Sequence, residues 1–240
     1  MTTTHTSSEI VEHDSVLVGP LREPRNLAAN QAGSIHDDSQ AQKLGFRGGT
    51  VAGSIHMEQF PPLLLRAFGD RWFEIGSLSA YFRNATMDRE RVRAFAEVPP
   101  PGAAEAQVNV WMDREDDMRV LEGTASIGSP SEPSMLRRKL AEPRDSGEQR
   151  ILGHLAIGDA GAPVNVRLAD EREAKPRLDA ITEPLDWYTG ASPWGGPVVN
   201  GANCLGVRSV PGRYSTLFIP EAKLPFPCAE AAPLALISSS

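Results

Sequence analysis

The sequence predicts an α+β fold in which an antiparallel sheet wraps around a central helix. Three observations carry this reading: a strongly apolar helical stretch begins after Gly53, four segments with a hydrophobic period of two follow it, and the glycine motif that precedes the helix recurs in the second half. Leu78, Ala80 and Phe82 alternate with Ser79, Tyr81 and Arg83, while Val92, Ala94 and Ala96 alternate with Arg93, Phe95 and Glu97. Residues 106–112 and 119–128 keep the same period, so four strands in series imply an antiparallel sheet. Pro99, Pro100, Pro101 and Gly102 belong to the connection between the second and third strands, and the charged run Asp113 to Arg119 reads as a solvated hairpin.

Upstream, Ser39 with Gln42 three residues on forms a possible capping box and Gly45 a natural stop, which predicts a short helix with Asp38 as a ready N-cap. In the longer helix, Ile55, Met57, Phe60, Leu63, Leu64, Ala67 and Phe68 leave Glu58 and Arg66 as the only charges, so it must be buried. Pro61 and Pro62 each lack an N–H, which predicts a kink or a restart there.

Phe46 to Gly53 is echoed by Trp194 to Gly201: both start on an aromatic residue, and Gly48, Val51 and Gly53 align with Gly196, Val199 and Gly201. Between the copies, the stretch from Gly128 to Gly147 has three prolines and few apolar residues. The expected organisation is a first unit over residues 1–128 carrying the catalytic motif, a linker over 129–147, and a second, abbreviated unit over 148–240. Each unit would wrap a sheet around its own helix, and the two sheets would join edge to edge.

Subtracting 31 acidic from 24 basic residues gives a net charge of −7 and a pI near 5.3, the wrong sign for a phosphate-backbone partner. No run of apolar residues is long enough to span a membrane, and the polar N-terminus has no signal-peptide pattern. Cys204 and Cys228 form neither a disulfide framework nor a zinc spacing. The expectation is a cytoplasmic protein that binds neither nucleic acid nor membrane.

The run Ser34-Ile-His-Asp-Asp38, with Ala41, Gly45-Phe46, Gly48 and Gly53, resembles the hot-dog-fold family of MaoC-like dehydratases, which includes the R-specific enoyl-CoA hydratases. The stretch Gly76 to Asn84 looks like the family's first strand after its helix. The likeness covers roughly Asn26 to Pro99, and weakly Trp187 to Gly206. It implies a double hot dog, as a monomer or homodimer, acting on an acyl thioester of coenzyme A or of a carrier protein. No cofactor is implied beyond the coenzyme A of the substrate, and no metal. Because the family includes natural-product thioesterases, a bulky acyl group is conceivable by analogy.

Where family hydratases carry a catalytic aspartate, five residues before the histidine, this chain has Gln31. Hydration of a double bond needs two proton-transfer groups, and an amide cannot titrate. Thioester hydrolysis needs one base or oriented water plus N–H groups for the oxyanion, so the substitution tilts the expectation toward a thioesterase, with a hydratase or a non-catalytic acyl-binding partner as alternatives. His36 is the candidate general base, against a structural role in its loop. Asp37 is a candidate to activate water, against a solvated turn residue. Gly53 is the candidate oxyanion donor at a helix start, against a packing glycine. The amides of Asn30 and Gln31 are candidates to orient water or the thioester oxygen. Thr50, Ser54, Glu58 and Phe60 are assigned to substrate contact around the head of the helix, with Glu58 also a second-choice base.

Overall fold

The computed structural model describes residues 9–142, 171–182 and 185–198. The chain opens with a hairpin of two short strands, β1 (Val11–His13) and β2 (Val16–Val18), whose turn residues Asp14 and Ser15 both have positive φ. Helices α1 (Asp38–Lys43), α2 (Gly53–Met57), α3 (Pro61–Phe68) and α4 (Arg71–Ile75) follow. Then come the four expected strands, β3 (Gly76–Phe82), β4 (Val92–Glu97), β5 (Ala106–Arg114) and β6 (Arg119–Ile127). All six strands form one antiparallel sheet in the order β1-β2-β4-β5-β6-β3. With the outer strand β1 set aside, a sheet whose second strand in sequence returns to the far edge, with the intervening helix against it, is the hot-dog arrangement.

The pleat decides which residues meet the helix. Ala94 pairs with Met112, Ala96 and Gly123 both lie opposite Val110, and Ala125 lies opposite Val108, so these residues share one face. On it Val92, Ala94, Ala96, Val108, Val110, Met112, Leu121 and Ala125 are all buried. Many of these side chains are small, which leaves a concave space that Phe60, Leu63 and Leu64 fill with no exposed surface. The central helix breaks where the prolines required: α2 stops at Met57 and α3 restarts with Pro61 and Pro62 in its first turn, where their missing N–H groups have no intrahelical role.

The opposite face is covered in part by α5 (Met135–Ala141), which lies inside the segment expected to be a linker. Its first turn is held by the sheet, with the N–H of Met135 donating to Thr124 Oγ1 at 3.0 Å and that of Leu136 to Ser79 Oγ at 2.7 Å. Farther along this face Phe95 and Trp111 stack across the β4–β5 pair at 5.2 Å.

The second unit lies largely outside the described residues, which contain one sheet. Its described portion is α6 (Glu171–Ile181) and a 3-10 turn, Asp186–Tyr188. Leu178, Ala180, Ile181, Leu185, Trp187 and Tyr188 are buried in the same core as α3 and the sheet. The second copy of the glycine motif is described only as far as Val198, so the helix expected after Gly201 falls outside the described residues.

If the helix filling the concave face is the main source of stability, Leu64→Ala should cost about 2–5 kcal/mol through a cavity. By contrast Val11→Ala, at a 57% exposed residue of the edge strand β1, should shift stability by less than about 0.5 kcal/mol. Urea unfolding of the two variants beside the parent checks this ordering.

Candidate functional site

The Ile-His-Asp-Asp run forms a loop that α1 terminates. The cap of α1 is Asp37, one residue before the expected Asp38: its Oδ1 accepts from the Gln40 N–H at 3.1 Å and from the Ser39 hydroxyl at 2.6 Å. Ser39 therefore serves the cap and is not itself the cap. These two bonds, the Ser39 hydroxyl first, hold the Asp37 carboxyl below its ordinary range, which weakens it as a base. Asp38 instead accepts the N–H of Gly49 at 2.7 Å and joins the His36 loop to the glycine motif.

His36 is half-buried and fixed from several sides. Its N–H donates to Ser34 Oγ at 3.2 Å, and its carbonyl accepts Asn26 Nδ2 at 2.8 Å. Gly49 lies so close that a Cβ there would sit 2.1 Å from the His36 carbonyl oxygen, which is why this position of the motif is glycine. The ring Nδ1 is 2.6 Å from the backbone carbonyl of Thr50, and 3.3 Å from its hydroxyl. A carbonyl can only accept, so Nδ1 carries the proton and Nε2 keeps its lone pair.

Thr50 is itself pinned. It is buried, its N–H donates to Ile35 O at 3.0 Å, and it forms a bridge with Met87. The Val51 N–H donates to Thr86 O, and Arg47 makes a bidentate pair with Glu90 at 2.6 and 2.8 Å. Residues 47–51 are thus held along the β3–β4 connection and lead directly into α2.

Gly53 opens α2 behind Ala52, which offers no capping side chain. Its lack of a side chain also has a packing reason, since a Cβ there would lie 2.7 Å from the Phe82 ring. Beyond it, the polar residues of the α2 region turn to different partners. Ser54 Oγ accepts Arg177 Nη2 from α6 at 2.8 Å, and the Tyr188 hydroxyl donates to Glu58 Oε2 at 3.4 Å. His56 is buried, with Nε2 at 2.6 Å from Thr86 Oγ1. Gln59 donates to the carbonyls of Ile55 and Ile181.

Of the residues singled out in the sequence, hydrogen bonds bring His36 and Thr50 together, and a second group joins Ser54 and Glu58 to the C-terminal part of the chain. Asn30 is exposed, and its carbonyl accepts the Ala32 N–H in a turn; Gln31 is half-buried, with its backbone bonded to Ala28 and Ser34. Phe60 has no exposed surface and packs in the core. Sequence reasoning missed Asn26, Thr86, Arg177 and Tyr188. Asn26 stands at the start of the resemblance, but nothing local marks Arg177, which meets Ser54 from 123 residues away. Among the described residues no three His, Cys, Asp or Glu side chains converge as metal ligands, and no helix is long and apolar enough to cross a membrane.

No family model and no curated protein matches this chain. Its similarities are to solved hot-dog structures. The (R)-hydratase from A. caviae involved in PHA biosynthesis shares 17% identity at a TM-score of 0.39, over 52% of this chain and 98% of its own. Zebra fish thioesterase superfamily member 2 shares 14% at 0.33, over 49% and 78%. A putative MaoC domain protein dehydratase from Chloroflexus aurantiacus shares 12% at 0.45, over 81% and 69%.

Burial lowers the His56 pKa from 6.5 to about 4, so the folded protein keeps this ring neutral while the unfolded chain protonates it. Its contribution is complete above about pH 6.5 and is lost as pH falls toward about 4, because the unfolded state then binds the extra proton; the full loss is on the order of 3 kcal/mol. Stability measured from pH 8 to 4 should show this acid limb, and His56→Gln should flatten it.

Proposed function

We propose that the protein is an acyl-thioester hydrolase acting on coenzyme A or carrier-protein thioesters. The observation that supports this reading best is the hydrogen bond from His36 Nδ1 to the Thr50 carbonyl, which presents Nε2 as the base. Water gives a proton to Nε2 and its oxygen attacks the thioester carbonyl. The oxyanion is received beside the start of α2, where Gly53 offers its N–H. Collapse breaks the C–S bond, the thiolate takes the proton back from His36, and a carboxylic acid and a free thiol leave. Asp37 is occupied as a helix cap and Gln31 does not titrate, so neither gives His36 a second proton-transfer partner.

A second reading, hydration of an enoyl thioester, is favoured by one feature. Glu58 is a buried carboxylate at the end of α2, the helix that residues 47–51 lead into. In that reading Glu58 supplies the proton that Gln31 cannot.

A panel of acyl-CoA and enoyl-CoA substrates separates the two: thiol release supports hydrolysis, and loss of enoyl absorbance without thiol supports hydration. His36→Ala should lower turnover about 10²- to 10⁴-fold while leaving the melting temperature close to that of the parent. Gln31→Asp should leave hydrolysis no faster; a gain of hydration in that variant would show that only the second acid was missing.

A further inference from the structure

Thr50, a residue expected to contact substrate, is buried, and its hydroxyl meets the loop that carries His36. The hydroxyl oxygen lies 3.3 Å from the carbonyl of Ile35 and 3.3 Å from His36 Nδ1, while the backbone carbonyl of the same residue lies 2.6 Å from that nitrogen. One threonine thus faces the ring with two oxygens. A hydroxyl has a single hydrogen to give and the Ile35 carbonyl can only accept, so that hydrogen goes to Ile35 and the lone pairs are left for the ring. Both oxygens then act as acceptors toward Nδ1, and both require the proton there.

This arrangement is stiff on both sides. A β-branched side chain has few χ1 choices, the Thr50 N–H donates to Ile35 O at 3.0 Å, and the Thr50 backbone forms a bridge with Met87. Across from it, Asn26 Nδ2 holds the His36 carbonyl at 2.8 Å, and Asp38 holds the N–H of Gly49, the residue before Thr50, at 2.7 Å. Ring and hydroxyl are each fixed by partners of their own. The other neutral tautomer would set a bare Nδ1 lone pair 2.6 Å from the Thr50 carbonyl, acceptor against acceptor, and the hydroxyl would have to leave Ile35 to offset it.

We infer that Thr50 is a positioning residue, whose hydroxyl holds the His36 ring with Nδ1 protonated and Nε2 presented as the base. This rests on the reading of His36 as the general base, and it holds for hydrolysis and for hydration alike. When Nε2 takes the proton of the attacking water the ring becomes an imidazolium, and its Nδ1–H turns into a stronger donor. The hydroxyl and carbonyl of Thr50 therefore hold the ring more tightly at that stage than before it, which places their contribution in kcat and not in KM. When the proton leaves Nε2, the two oxygens return to their resting role.

The test uses the full chain with hexanoyl-CoA and crotonyl-CoA, following thiol release, enoyl absorbance and melting temperature. Imidazole nitrogen NMR, at a pH where the His36 signals no longer titrate, reports which ring nitrogen carries the proton; in the parent it should be Nδ1. Thr50→Val, which keeps the branched shape but not the hydroxyl, should lower kcat about 3- to 10-fold, the loss expected of one neutral hydrogen bond, with KM changed by less than about two-fold. The same variant should show part of His36 in the Nε2–H form, and Thr50→Ala, a second removal of the hydroxyl, should do likewise. Thr50→Ser keeps the hydroxyl and should stay near the parent in both rate and tautomer. A hydroxyl that only supported the fold would lower the melting temperature without moving the tautomer. A parental rate or a parental tautomer in Thr50→Val overturns the inference, as does a parent ring protonated at Nε2 or a Thr50→Ser variant that loses as much as Thr50→Val. If His36→Ala abolishes activity while Thr50→Val keeps it, this inference alone falls. A parent inactive on both substrates, or active without His36, overturns the proposed function and this inference together.

Discussion

The fold depends on fitting one helix into the concave face of one sheet. That face is built with the small residues Ala94, Ala96, Gly123 and Ala125 together with Val108, Val110, Met112 and Leu121. Phe60, Leu63 and Leu64 complete the packing. Each apolar side chain of this size contributes about 1.5–3 kcal/mol on burial, so the helix cannot leave the sheet without exposing most of the core. Breaking the helix before Pro61 follows from the same constraint. The α3 segment can lie flat in the groove while α2 turns its polar residues toward the loops and α6.

Around this core the chain spends its polar contacts on fixing loops. Asp37 caps α1, Asp38 holds Gly49, Asn26 holds the carbonyl of His36, and Glu90 fixes both Arg47 and the Met87 N–H. The effect is cumulative: the His36 ring is set against the Thr50 carbonyl because both residues are restrained by partners of their own. A candidate base gains from such restraint, since its orientation need not be selected anew with each substrate. The aromatic cluster of Phe73, Trp187 and Trp194, with centroids 5.6 to 6.0 Å apart, plays the corresponding part for the C-terminal segment by anchoring it beside α4.

Much of this architecture was legible in the sequence because its signals are local. Alternation with a period of two located β3 to β6, the paired prolines located the restart of the central helix, and the glycine motif located the approach to α2. The hairpin of β1 and β2 was missed, since each strand is only three residues long and its turn, Asp14-Ser15, has no glycine. The cap of α1 was misplaced by one residue because Asp37, Asp38 and Ser39 are all competent caps by residue type. Only the fold decides which of them has Gly49 as an alternative partner.

The sequence by itself determined the succession of β3 to β6 and their buried faces, which depend on neighbours a few residues apart, while the resemblance to a known family is what pointed to His36 as the candidate base. Tertiary structure alone decided what those residues meet. It made Asp37 a cap and not a free base, placed Phe60 in the core, and brought Arg177 to Ser54 and Tyr188 to Glu58 across separations of 123 and 130 residues. Such pairings leave no local trace, because an arginine in an exposed helical pattern looks the same in sequence whether its guanidinium ends in water or at the head of a buried helix. The difference arises only when Leu178, Ala180 and Ile181 bury their side of α6 and thereby fix where its polar residues point.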